Sequence, residues 1–202
     1  MIARTIRIAA AAAVFATPAA LPAQRMSDSY EFLKAVREAN GNKVTEMLDK
    51  PGQTIVNTRD TNGDGALHIA AKRGDSTYLS FLTGKGANPN LQDARGNTAL
   101  LLSTEANCSE CIDVLVRRKA NVNLANASGE TPLIRAVQLR NVLLAQKLLQ
   151  AGGNPDQADV IAGMSARAYA RRDTRSPALA KLLADAPKAG GAARATAGPR
   201  LN

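Results

Sequence analysis

An all-α solenoid of stacked helix-turn-helix units is the fold class that three observations predict. The 202-residue chain aligns with itself when shifted by 33 residues: Asp60 to Gln92 (DTNGDGALHIAAKRGDSTYLSFLTGKGANPNLQ) matches Asp93 to Ala125 and Asn126 to Ala158 without an insertion. Punctuation recurs with the period. An Asp or Asn opens each unit, Gly63, Gly96 and Gly129 stand fourth, Leu67, Leu100 and Leu133 stand eighth, and Asn88, Asn121 and Asn154 mark a closing turn. Composition is the third observation: 45% of the residues are hydrophobic, yet aromatics are 3% and Trp is absent. Such a core is built from Ala, Leu, Val and Ile on short, closely packed helices, as in repeat arrays whose units bury their apolar faces only against neighbours.

At the N-terminus, Arg4 and Arg7 precede the apolar run Ile8 to Ala16, then Thr17-Pro18 and the small-residue stretch to Ala23. This order is that of a secretory signal, expected to be cleaved after Ala23, and the run is too short to span a bilayer. The mature chain is therefore expected to be soluble and periplasmic, and losing Arg4 and Arg7 leaves 24 basic side chains against 17 acidic ones. The expected organisation is a signal peptide 1–23, a repeat domain 24–188 and a disordered tail 189–202 rich in Ala and Gly. Within the domain, 27–59 reads as an N-terminal cap and 159–188 as a degenerate C-terminal one, since end units meet water on one side.

In the N-terminal cap, Asp28 and Glu31 predict a capping box that starts a helix over Ser29 to Ala39. Phe32 and Ala35 take the roles of Leu67 and Ala70, Gly41-Asn42 turns the chain, Val44, Met47 and Leu48 form a second stripe, and Pro51-Gly52 replaces the closing turn. In the regular units, Asp60, Asp93 and Asn126 are placed to bond their own downstream backbone, with the Gly three residues on supplying a positive φ. Thr98 and Thr131 read as N-caps and Pro132 as a first helical residue. First helices are expected over Ala66 to Lys72, Ala99 to Glu105 and Pro132 to Gln138. Second helices are expected over Ser76 to Thr83, Ser109 to Arg117 and Val142 to Gln150. Gly86 and Gly152 should end helices in the left-handed region, where Lys119 stands in the middle unit. In the last unit, Met164-Ser165-Ala166 replaces Thr-Pro-Leu, Ala162 replaces the fourth-position Gly, and Leu179, Leu182 and Leu183 form a stripe.

The opening of each unit resembles the ankyrin repeat, whose pattern D-x-x-G-x-T-P-L-H-x-A-A is matched most closely by Asp60 to Ala71 and Asn126 to Val137. The resemblance implies an ankyrin-repeat solenoid with short hairpin-like fingers and a role in protein-protein interaction. It also implies that His68, the lone histidine, holds the turn between repeats through side-chain hydrogen bonds. A metal site would need further ligands at suitable spacing, so neither a metal nor a cofactor is expected. No Ser-His-Asp arrangement forms around one structural His. No enzymatic activity is expected.

Cys108 and Cys111 fall at the start of a second helix, where they read as a disulfide or as one buried thiol with an exposed neighbour. The alternative is a thiol-redox or redox-sensing site. A pI near 10 raises nucleic acid as a partner, but the basic residues are dispersed and stacking aromatics scarce, so none is expected. Peripheral contact with anionic envelope surfaces fits the charge better. The resemblance places partner binding on a concave face of turn tips and first helices: Arg37, Thr61, Asn62, Asp64, Lys72, Arg73, Arg95, Asn97, Glu105, Glu130, Gln138, Arg171 and Arg172. Lys72 and Arg73 stand out as basic residues that the repeat framework does not require. The chain is expected to act as a monomer on a protein partner that the sequence does not identify.

Overall fold

The computed structural model describes residues 22–50 and 55–188. Of the expected signal segment 1–23 only the last two residues are among them; its first 21 residues, the Pro51-Gly52 turn and the tail 189–202 lie outside. Among the described residues, ten α-helices are arranged in pairs. They are α1 (Pro22–Arg37) and α2 (Gly41–Leu48), α3 (Ala66–Arg73) and α4 (Ser76–Gly84), α5 (Ala99–Glu105) and α6 (Ser109–Arg117), α7 (Pro132–Gln138) and α8 (Val142–Gln150), and α9 (Ala166–Arg172) and α10 (Pro177–Asp185). A 3-10 turn, Ile55–Asn57, precedes the first regular unit.

The helices form two layers. In the inner one, α1, α3, α5, α7 and α9 pack each against the next; in the outer one, α4, α6, α8 and α10 do the same. Between the layers runs one continuous core, almost wholly aliphatic, including Ala70, Leu79, Leu100, Ile112, Leu133, Leu144 and Leu179, with Phe32 at its N-terminal end. Each repeat buries its apolar face only by meeting its neighbours, which is the physical content of the 33-residue period.

Local chemistry sets the helix ends. Thr98, Thr131 and Ser165 accept the backbone N–H of Leu101, Ile134 and Ala168 and so start the inner helices. The first four inner helices stop at a left-handed residue, Ala39, Gly74, Asn107 or Arg140, with φ between 54° and 70°. The next residue begins the outer helix: Asn40, Asp75 and Asn141 accept from the amides of Lys43, Tyr78 and Leu144. Gly86, Lys119 and Gly152 carry the expected positive φ after the outer helices.

Two details of the caps differ from expectation. Helix α1 starts at Pro22, where a ring-locked φ suits the first helical position, so Asp28 and Glu31 lie inside it and no capping box forms there. It also stops two residues early, and Gly41-Asn42 opens α2 instead of turning the chain, because Ala39 (φ 54°) makes the turn and Asn40 is the N-cap of α2. At the other end, the finger is one residue longer. Asp93 donates its N–H to the Asn97 carbonyl, whereas Asp159 reaches Met164, and the positive φ moves from position 162 to Gly163.

Candidate functional site

Between each outer helix and the next inner helix the chain makes a finger, and the fingers lie beside one another at the edge of the inner layer. Asp60 Oδ1 accepts the N–H groups of Asn62 and Asp64 at 2.8 and 2.9 Å; Asp93 and Asn126 repeat the pattern. The fourth-position glycines are required twice over. Each has φ near 75°, and a Cβ there would lie 2.4 to 2.7 Å from the backbone nitrogen of the next finger. That nitrogen is engaged: Ala94, Ala127 and Val160 donate their N–H to the carbonyls of Asn62, Arg95 and Ser128. The fingertips thus form a backbone ladder that fixes one repeat against the next.

His68 ties the same register from inside. Its Nδ1 accepts the Gly65 N–H at 2.9 Å, so its Nε2 bears the proton and donates to the Asn97 carbonyl at 3.0 Å. Gly65 has no side chain to cap α3, so the His68 N–H goes to the Gly65 carbonyl at 3.0 Å, and the imidazole reaching back satisfies the Gly65 N–H, the other half of a capping box. The ring is fully buried, and burial holds its pKa below 6.5 against the raising effects of the Asn97 carbonyl and nearby carboxylates. With both nitrogens bound to backbone, the imidazole is a neutral structural link between repeats.

The predicted partner residues divide into two groups. Asp64, Asn97 and Glu130 are not at exposed tips, as expected, but buried, at 8, 6 and 8% exposure. The finger turns inward after its fourth residue, so the fifth position faces the stack. Asp64 accepts Lys72 Nζ on both carboxylate oxygens. Asn97 donates to Asp93 and accepts from Asn126. Glu130 accepts from Arg135 Nη2 at 2.8 Å, and the same guanidinium lies 3.9 Å from Glu105. Burial pushes the Glu130 carboxyl up, with Arg135 opposing it; burial also acts on Asp93, but hydrogen bonds from Asn97 and Arg95 outweigh it and hold that carboxyl low.

Lys72 and Arg73 need a correction as well. Both are exposed, but neither is free of the framework: Lys72 neutralises buried Asp64, while Arg73 donates to the Val36 carbonyl and to Asp75 and stacks 5.2 Å over the Tyr78 ring. Arg37 likewise pairs with Asp60 across two units. What stands clear at the fingertips are Thr61, Asn62 and Arg95, whose side chains make no hydrogen bond or ion pair with other described residues. Arg171 is exposed and equally unpaired but takes the place in α9 that buried Ala71, Thr104 and Val137 hold in the other inner helices, and Gln138 is exposed but bonds Tyr169. Arg172 touches only Met164 Sδ, at 3.7 Å.

Two features escaped the sequence reading. A groove of about 610 Å³ at the N-terminal end is lined by Tyr30, Leu33, Arg37, Arg59, Thr61 and Asn62; nothing in the repeat pattern marks it, because α1 stands where a preceding finger would be. The second is the last fingertip, where Val160 and Ile161 are 73 and 79% exposed. Its signal lies in the repeat register, since the same positions read Thr-Asn, Ala-Arg and Ala-Ser in the other units.

Cys108 and Cys111 are joined as a disulfide with a Cα separation of 5.3 Å. Cys108 occupies the N-cap position that Asp75 and Asn141 hold in neighbouring repeats, and its sulfur accepts the Cys111 N–H at 3.2 Å. Cys111 is fully buried at the core position of Tyr78 and Leu144.

No curated protein matches the chain. A family model of three ankyrin repeats matches residues 32–124 and again 67–159. Together these cover more than half of the sequence, and every finger and helix pair between them has the same plan. The chain belongs to the ankyrin-repeat family, whose members are in general protein-protein interaction modules and typically not enzymes.

Proposed function

We propose that this chain is a non-enzymatic scaffold of the periplasm or cell envelope that binds a protein partner through the inner face of its solenoid. The observation that carries the reading is the division of labour on that face. Buried carboxylates and amides are matched by framework cations, whereas Thr61, Asn62 and Arg95 project from successive fingers without a structural task. Side chains presented at a fixed spacing on a rigid array suit recognition of an extended protein surface. The excess positive charge favours an acidic partner and contributes mainly to the rate of encounter.

Arg95→Glu with Asn62→Glu tests the face, since neither side chain holds the fold. The expected result is a partner captured from the native envelope by the wild-type chain, with recovery falling at least tenfold in the double variant at an unchanged melting temperature. Equal recovery overturns the reading. Release of the chain from membranes by salt alone, with no protein retained, would point instead to anionic surfaces, because contact of that kind is screened. Export rests on the N-terminal pattern; a mature chain that still begins before Gln24, or that stays in the cytoplasm, overturns that part.

A thiol-redox role for Cys108 and Cys111 fits less well, because Cys111 is fully buried and the pair serves as a helix cap. Insulin reduction by the purified chain would restore the redox reading.

A further inference from the structure

The finger ladder has an end. Asn62, Arg95 and Ser128 each offer a carbonyl to the next finger; in the longer last finger Asp159 Oδ1 accepts the Ala162 N–H as Asp60 Oδ1 accepts that of Asn62, so the equivalent residue is Ala162, whose carbonyl has no donor among the described residues. Glycine contacts change in step. A Cβ on Gly63, Gly96 or Gly129 would run into the next finger, but one on Gly163 meets nothing within 4 Å. The last finger therefore keeps an approachable backbone on the side where, elsewhere in the molecule, a further stretch of backbone is bound.

Side chains at this edge are unlike those of the other fingers. Val160 and Ile161 are two of the most exposed large apolar residues among those described, and water gains nothing from their being adjacent. Arg172 lies against the same finger through Met164, and exposed Arg171 precedes it on α9. Open backbone, an apolar pair and two arginines without an ion pair among the described residues thus coincide at one end of the array.

We infer that this edge is a docking site for an extended, acidic and apolar segment of a partner protein, which continues the finger ladder beyond Ala162. Its backbone N–H would donate to the Ala162 carbonyl, its apolar side chains would cover Val160 and Ile161, and its carboxylates would meet Arg171 and Arg172. The binding shares the logic of backbone addition, with a main-chain hydrogen bond fixing register and side chains giving specificity, but it adds a rung to a ladder of single bonds and not a strand to a sheet. A second copy of the chain is the poorer occupant, because a net charge of +9 opposes self-association. The inference rests on the reading of the chain as a protein-binding module, but it uses the end of the array where that reading uses the inner face.

An end-blocked hexapeptide of alternating aspartate and valine is the probe, added to the full chain while backbone amide shifts are monitored by NMR. Saturable shifts are expected around Ile161, Gly163 and Arg172. They should weaken at least tenfold when the peptide amides are N-methylated, when lysine replaces aspartate, or in the Val160→Asp, Ile161→Asp double variant at an unchanged melting temperature. No shift at millimolar peptide overturns the inference, as do shifts that survive N-methylation or the lysine exchange. Shifts confined to Arg95, Glu105 and Gln138 remove this edge and leave the inner face standing. Shifts at the edge, with partner capture indifferent to Arg95→Glu and Asn62→Glu, have the reverse meaning.

Discussion

Ser103 is wholly buried in α5, and its hydroxyl has no hydrogen-bond partner among the described residues. The neighbouring repeats hold Ala70 and Ala136 at this position, both fully buried. Ser103→Ala should therefore raise stability by about 1 kcal/mol in urea denaturation, since an unsatisfied buried hydroxyl is removed without leaving a void larger than one atom. His68 makes a second prediction, on pH. Its folded pKa lies below 6.5 because burial disfavours the imidazolium, so its contribution is fully present above the unfolded value of about 6.5. As pH falls below that value the unfolded chain takes up the proton first, and stability declines until the folded value is passed. The denaturation midpoint should be flat from pH 8 to about 6.5 and drop below it, and His68→Leu, though less stable throughout, should lose that slope. A slope that persists in the variant would assign it to other groups. At this scale the sequence was an incomplete guide. The ankyrin pattern located His68 correctly, but it could not show that Asp64 and Lys72 neutralise one another, because an ion pair between the fifth position of a finger and the seventh residue of the next helix has no signature in linear order.

At the scale of the element, legibility was high wherever capping chemistry was explicit. The expected bounds of α5, α6, α7 and α8 coincide with those observed, because Thr98, Thr131 and Asn141 announce their starts. They fail in α1, where the start depends on Pro22 and the end on a left-handed Ala39, a residue with no local preference for that conformation. Helix α6 offers the clearest test, because its cap is covalent. The Cys108 sulfur sits where Asp75 and Asn141 place a carboxylate or amide oxygen. Dithiothreitol should lower the melting temperature of the wild-type chain. The double variant Cys108→Asn, Cys111→Leu, which copies the neighbouring repeat, should stay within about 1 kcal/mol of the oxidised protein and be indifferent to reductant. A reductant-insensitive wild type would show that the bond contributes nothing to the cap.

Over the whole molecule, neighbouring repeats are joined by the apolar core, the finger ladder, the His68 bridge, ion pairs such as Lys147–Asp113 and a relay of asparagines. Asn57, Asn90 and Asn123 each accept, through Oδ1, the backbone N–H of Asn88, Asn121 and Asn154 at 2.7 Å. Because every link joins nearest neighbours, damage should remain local. Gly129→Ala is the sharpest probe, since its Cβ would meet the Val160 nitrogen at 2.6 Å and its φ of 74° disfavours a side chain. Hydrogen exchange should show α9 and α10 losing protection while α3 to α6 keep theirs; uniform loss would mean that the array unfolds as one unit. The relay has its own terminus. Position 187 is Pro, with no N–H to give, and the last acceptor is Asp156, which receives Arg167 at 2.8 Å. That same guanidinium donates to the carbonyls of Leu183, Ala184, Ala186 and Pro187 at the close of α10, so one side chain stands in for a missing repeat. In mechanical terms the array behaves like a row of coupled springs with one dissimilar end. A load along its axis passes between the regular units through short backbone links and through ion pairs such as Lys147–Asp113 and Arg135–Glu105, and at the last junction it reaches α10 through the Arg167 clasp, so salt softens the array along its length and most directly at that end.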